Sequence, residues 1–435
     1  MLTRAAQANG LPDVVGGVLA NFVRWLEGFG ETSLDHQTFF SGRVGGFAKA
    51  LYYRRPALGM AAVAPIIACE AFLPSARRFF GGPTRFPIAD AHYAMGFAFL
   101  YATDGQPEDF RKAAHFVSEL EKSRCPDVEE YCWGYPFDWV TRNGTIQKQT
   151  PLITSTPYAY EAFLHVFSLD ARDEWKQVLT SIARHAMVDI KDFRTSETAS
   201  SCSYTPYDTG GVINAAAYRS FLLTSASQVL GNEQYRKTAD RNLRFVLDNQ
   251  NPDGSWYYAV DGVRDFVDHF HTCFVMKALA KIHAITGDEA CLAALSRGIT
   301  YYLANLFGDD GLPKPFSRAP RLTVYKRELY DCAEAINLCL LLRDRFPECE
   351  VTLDTVVAGI VKDWVKPDGS FRSRQLFLGW DNVPMHRWAQ SQMFRSLAFY
   401  CHQKKGGPPG PPLRVSSAPV HTLKETANVW NRRAV

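Results

Sequence analysis

The chain has 435 residues, 46% of them hydrophobic, and its 48 basic and 45 acidic side chains leave a formal charge of +3. That composition excludes a disordered polymer, and the interspersed charges exclude a basic footprint for nucleic acid. Ten cysteines occur without a CxxC pair and there is no HExxH, so the thiols read as buried and reduced, and neither a metal nor another cofactor is expected.

Residues 1–85 read as an N-terminal helical extension packed on the remainder of the chain, with helices over Asp13–Glu27 and Ser33–Tyr53. The first residues lack a charged stretch, apolar core and small-residue cleavage site, so a cytoplasmic protein is expected. The longest apolar run, Ala57–Pro74, is broken by Pro65 and Glu70 and flanked by Arg54, Arg55, Arg77 and Arg78. It reads as a buried helix rather than a membrane anchor. Besides a saccharide or other small-molecule substrate, a membrane surface met peripherally and a second copy of the chain are the partners considered.

From Asp90 a period emerges. Apolar, small-residue-rich helices begin near His92, Thr156, Thr209, Thr272, Cys332 and Trp388, about 50 to 65 residues apart. Each is followed by a short turn and a charged amphipathic helix, and then by a longer loop, several with an Asp-Gly turn; strand signals are nearly absent. A helix that is apolar all round must be buried on nearly all sides. The pattern therefore predicts an all-α fold, an (α/α)6 toroid over 86–402 with apolar helices inside and amphipathic helices outside. An open solenoid of helical pairs is the alternative. Residues 403–435, Pro/Gly-rich at first, read as a flexible tail.

In a closed ring the long loops converge on one mouth. They carry Trp133, Tyr135, Asp138 and Trp139; Tyr204, Tyr207 and Asp208; Asp265, Asp268, His269 and His271; Arg327, Tyr330 and Asp331; and Trp380, Arg387 and Trp388. Aromatic faces stack on sugar rings, carboxylates and histidines move protons, and arginine grips a carboxylate. The candidate catalytic groups are Asp138, Asp208, Asp268, His269, His271, Tyr207 and Asp331. The candidate substrate-binding groups are Trp133, Tyr135, Trp139, Tyr204, Arg327, Tyr330, Trp380, Arg387 and Trp388. His271 or Tyr207 would serve as base and Asp208 or Asp138 as acid, the last two pairing if the reaction is hydrolysis. Helix capping is the plain competing role for Asp208 and Asp331.

The stretch Arg241, Phe245, Val246, Gln250, Gly254 and Trp256 resembles the QW repeat of squalene-hopene-type terpene cyclases, and KPDGSF around Gly369 resembles a degraded copy with Val365 in place of the Gln. That family's DxDD, the zinc-binding DxC of protein prenyltransferases and the cysteine ligands of lanthionine cyclases are absent. The layout also resembles carbohydrate-active (α/α) barrels, namely polysaccharide lyases, six-hairpin glycosidases and uronate epimerases. WGYPFDW, FHT at 270–272 and RWAQSQMF at 387–394 resemble segments of toroid proteins from bacterial exopolysaccharide loci. These resemblances imply an enzyme acting on a uronate-containing poly- or oligosaccharide by hydrolysis, β-elimination or epimerisation. A terpene cyclase-like or isoprenoid-binding toroid and a non-catalytic sugar-binding or scaffold component of polysaccharide biosynthesis are the alternatives they leave.

Overall fold

Fifteen α-helices make up most of the structure, a computed structural model that describes residues 4–408 and 410. Four precede the repeats: α1 (Arg4–Phe29), α2 (Thr38–Ser41), α3 (Arg43–Arg54) and α4 (Pro56–Phe72). Five hairpins come next, α5 (Pro87–Asp104) with α6 (Pro107–Lys122), α7 (Thr156–Leu169) with α8 (Asp173–Arg184), α9 (Ile213–Leu230) with α10 (Glu233–Asp248), α11 (His269–Thr286) with α12 (Glu289–Asn305), and α13 (Leu329–Leu342) with α14 (Glu348–Gly359). The last helix is α15 (Ser391–Lys404).

The odd-numbered helices from α5 to α15 each pack on the next, and α15 packs back on α5, so the inner ring closes. They are the apolar helices of the sequence pattern, and each even-numbered helix from α6 to α14 covers the one before it. Inner helices α5, α9 and α11 end at Gly105, Gly231 and Gly287, with φ of 67°, 70° and 70°. Glycine adopts that left-handed conformation without penalty, which permits the short turns to the outer helices.

The sixth outer position is filled from the other end of the chain. Helix α1 packs on α15 through Val15, Val18, Leu19, Phe22, Trp25 and Leu26, a helical stripe that belongs to the main core. Phe22 stacks on Phe371 and Phe394, each at 5.2 Å. Thus α1 completes the toroid's wall, whereas the sequence pattern treated it as an added extension.

Sheet is sparse, as expected, whereas the expected burial of the apolar helix α4 is corrected. The long loops carry nine short strands, β1 (Trp139–Thr141), β2 (Gly144–Ile146), β3 (Asp192–Arg194), β4 (Ser200–Cys202), β5 (Val267–Asp268), β6 (Phe316–Arg318), β7 (Tyr325–Glu328), β8 (Arg374–Leu376) and β9 (Trp380–Asp381), paired antiparallel in small sheets. At two to four residues each they are too short to show an alternating pattern. The apolar helix α4 buries only Gly59, Val63 and Ile66 among its residues, because it rests on a satellite cluster around Phe39 instead of the main core. Among the described residues no helix is long and apolar enough to cross a membrane. The expected flexible tail lies almost wholly outside the described residues.

Candidate functional site

Asp268 caps the N-terminus of α11, its Oδ1 accepting the His271 backbone N–H at 2.9 Å. Its Oδ2 lies 2.6 Å from His271 Nδ1. A carboxylate only accepts, so Nδ1 carries the hydrogen, and the tautomer this selects has its lone pair on Nε2. Asp268 is buried and His271 half-buried, edge-on to Tyr258 at 4.6 Å and to Phe274 at 5.5 Å. The loop fold thus builds an oriented base at the start of an inner helix.

Asp331 stands in the first turn of α13, 1% exposed. Neither carboxylate oxygen has a protein hydrogen-bond partner. Burial first, then the nearby Glu328, Asp268 and Glu334, push its pKa well above the usual carboxylate range, which favours the neutral carboxylic acid over the carboxylate.

The aromatic groups of the mouth form a connected half-buried surface. Tyr135 stacks on Phe137 at 5.3 Å and meets Trp139 edge-on at 5.5 Å, and Trp139 approaches Tyr204 at 6.2 Å. Tyr330 lies parallel to Trp388 at 4.1 Å, with His36 against Trp388 at 4.5 Å. Both Trp139 and Trp388 are half-buried.

Below the mouth, polar side chains of the inner helices meet inside the ring. Lys277 pairs with Glu334, and Lys281 on α11 pairs with Glu161 on α7, two helices that are not neighbours in the ring. Arg395 Nη1 lies 3.4 Å from His92 Nδ1. Burial, then Arg395, Lys277 and Lys281, push the His92 pKa well below its usual value, so the ring is neutral beside these cations.

Several sequence candidates serve other ends. Asp138 is exposed and its Oδ1 accepts the Lys148 N–H. Asp208 accepts from the backbone N–H of Tyr204, Thr205 and Gly210 and from the Thr205 hydroxyl, so its lone pairs are spent on its own turn. Tyr207 is 77% exposed. His269 is fully buried between Tyr302 Oη, 2.8 Å from Nε2, and the Leu306 carbonyl, 3.2 Å from Nδ1; burial holds its pKa at about 3. Trp133 is buried and donates to the Leu120 carbonyl at 2.8 Å. Trp380 packs edge-on against Trp364 at 5.0 Å, and Arg327 pairs with Asp310.

Arg387 is at the mouth but already partnered. Its guanidinium forms a fork with Asp35, Nε to Oδ2 at 3.1 Å and Nη2 to Oδ1, under the ring of Tyr135 at 4.8 Å. Burial opposes ionisation of Asp35, but Arg387 and His36 outweigh it and hold the carboxyl well below its usual range. A buried pair of this kind leaves no free charge for a substrate carboxylate.

Asp35, His36, Tyr258, Lys277, Glu334 and Arg395 were not singled out in the sequence. A charge inside an otherwise apolar helix was the available signal for the last three. Among the described residues no group of three His, Cys, Asp or Glu side chains could hold a metal ion. A surface cleft of about 420 Å³ lies off the axis, lined by Asn249, Gln250, Tyr257, Val260 and Asp265 among others. Its lining includes neither His271 nor Asp331.

No protein-family model matches the chain, and no curated protein matches it. Solved structures do. The cellobiose 2-epimerase from Spirochaeta thermophila is similar with a TM-score of 0.57 at 14% identity, over 81% of this chain and 98% of that one. The cellobiose 2-epimerase from Bacillus thermoamylovorans has a TM-score of 0.57 at 10% identity, over 72% and 87%. An unsaturated glucuronyl hydrolase from Bacillus sp. GL1, which degrades glycosaminoglycan, has a TM-score of 0.54 at 14% identity, over 71% and 85%. At such identities the likeness shows the fold, an all-α (α/α) barrel shared with sugar-processing enzymes.

Proposed function

We propose that the chain is an enzyme that moves a proton on a saccharide, with epimerisation beside a sugar carbonyl as the reaction its side chains support best. The observation that carries this reading is the Asp268–His271 contact at 2.6 Å, near an Asp331 whose protonated form is favoured by burial and by its acidic neighbours, Asp268 among them. His271 Nε2 would take the proton from the carbon next to the carbonyl. Asp331 would stabilise the oxygen on which negative charge develops, a water molecule would protonate the opposite face of that carbon and so invert it, and the hydroxide left would take up the proton held by His271. Trp139, Tyr135 and Tyr204 would hold the sugar rings.

The other reactions have less support. Hydrolysis by Asp138 with Asp208 would need two free carboxylates facing one bond, and Asp208 is spent on its turn. Elimination beside a uronate needs a free cation for the carboxylate, and Arg387 is held by Asp35. Ion pairs inside the ring, Lys277 with Glu334 between adjacent helices and Lys281 with Glu161 between helices that are not neighbours, replace the apolar shaft that a prenyl chain would occupy.

A thermal-shift panel of reducing disaccharides, uronic oligosaccharides and prenyl diphosphates tests the substrate class. A saccharide at about 100 times its Kd adds about 2.7 kcal/mol of stability. Stabilisation by prenyl diphosphates alone would reject the reading.

A further inference from the structure

Exposed large apolar side chains concentrate between residues 44 and 79, on α3, α4 and the adjoining 3₁₀ turn. Gly59 forms the seam between the two helices, since a Cβ there would lie 2.0 Å from the Tyr52 Cα. Away from that seam Leu58, Met60, Ile67 and Phe72 face solvent, joined by Phe47 at 70% and Phe79 at 77% exposure. Scattered exposed apolar residues are ordinary, but eight of the eighteen exposed large ones among the described residues fall on this one hairpin and its adjoining turn, a concentration of the kind that marks an interaction surface.

Charge around this patch has one sign. Glu70 is the only acid between residues 36 and 89, and it is held by Arg374 at 2.7 Å. Arg77 is held by Asp381, and Arg85 by Asp90 and Glu31. Arg43, Arg54, Arg55 and Arg78 are exposed, and none of the ion pairs among the described residues involves them.

We propose that the α3–α4 hairpin seats the protein on an anionic lipid bilayer. Leu58, Met60, Ile67 and Phe72 enter the acyl boundary by about 5–10 Å while the arginines bond lipid phosphates. Helix α4 has 17 residues and no described helix is long and apolar enough to cross a membrane, so it lies in the plane of the surface. A second copy fits the face poorly, because two-fold pairing would bring two sets of these arginines together with no acid to offset them. The face adjoins the mouth. Glu70 at the end of α4 meets Arg374, Arg374 meets Glu328 at 2.6 Å, and Glu328 accepts from Trp388 Nε1 at 2.8 Å. Docking therefore holds the mouth beside the lipid surface, whatever reaction occurs there.

Co-sedimentation of the full chain with vesicles of phosphatidylcholine alone, or with about one-third phosphatidylglycerol, tests this. The protein is expected to pellet with the anionic vesicles and to be released by salt. Ile67→Asp with Phe72→Asp, and separately Arg54→Glu with Arg55→Glu, should each lower partitioning about tenfold or more. Melting temperatures should stay unchanged, because all four side chains are exposed. If the apolar pair fails to fold, the arginine pair decides alone. Wild-type protein left in the supernatant with both vesicle types overturns the proposal, as does vesicle binding that survives both double substitutions. A concentration-dependent dimer that both double substitutions abolish, with no vesicle binding, assigns the face to a second copy instead.

Discussion

His271 Nδ1 sits 2.6 Å from the Asp268 carboxylate, and the same carboxylate caps the helix that carries the histidine. One side chain thus does two jobs, and substitutions separate them. Asp268→Asn keeps an N-cap acceptor, whereas Asp268→Ala loses it at about 1 kcal/mol of stability. Both remove the carboxylate that orients the ring. Thermal melts are expected to distinguish the two variants, and turnover per folded molecule is expected to fall in both.

Arg387 and Asp35 join the mouth to the segment between α1 and α2. Both are buried, at 3% and 1% exposure, so removing either partner strands the other charge. Arg387→Ala is expected to cost about 3–5 kcal/mol, measurable by denaturant unfolding. A cost below about 1 kcal/mol would make the pair no stronger than one at the surface.

Burial also predicts the response to acid. It lowers the pKa of His36, His165 and His269 to about 3 and of His386 to about 4. Each folded-state value lies below the unfolded one, about 6.5, so the unfolded chain binds more protons between the two. Their stabilising contribution is full above that unfolded value and declines as pH falls toward the folded values, by up to about 1.4 kcal/mol per pH unit for each ring. Asp331 has the opposite sign, its raised pKa costing stability as pH rises from about 3.9 through the folded value. Unfolding free energy is expected to fall steeply on acidification below about pH 6, and less steeply in a His269→Gln variant.

The ring's closure by α1 gives a prediction in the core. Phe22 is fully buried against Phe371 and Phe394. Phe22→Ala is expected to cost about 3–5 kcal/mol. An added helix lying loosely on a complete barrel would give a much smaller loss in the same unfolding experiment.

The inner helices were legible because each is apolar all round between turn signals, and their starts fall within a few residues of the expected ones. The role of α1 was not, because its partner α15 lies at the far end of the chain and no local pattern records that pairing. Among the loop residues singled out, Tyr135, Trp139 and Tyr204 touch in series, Arg387 links Tyr135 to Trp388 and Tyr330, and Asp268 holds His271. Loop position misread Asp208, since an aspartate spent on its own turn looks in sequence like one left free for a substrate. The fork between Asp35 and Arg387 was invisible for the same reason as α1, its partners being joined only by closure. Lys277, Lys281 and Glu334 did leave a trace, charges placed within apolar helices, which buried pairing explains.

Proton exchange tests the central claim most directly. The protein is incubated with reducing saccharides in D2O and the hydrogen on the carbon beside the carbonyl is followed by proton NMR. With a saccharide that stabilises the fold, solvent deuterium is expected to enter that position as the epimer forms. His271→Ala is expected to slow this by about 10²–10⁴, and Asp331→Asn to slow it as well, both remaining folded. Exchange at the wild-type rate in His271→Ala, or epimer formed without deuterium, would contradict the account.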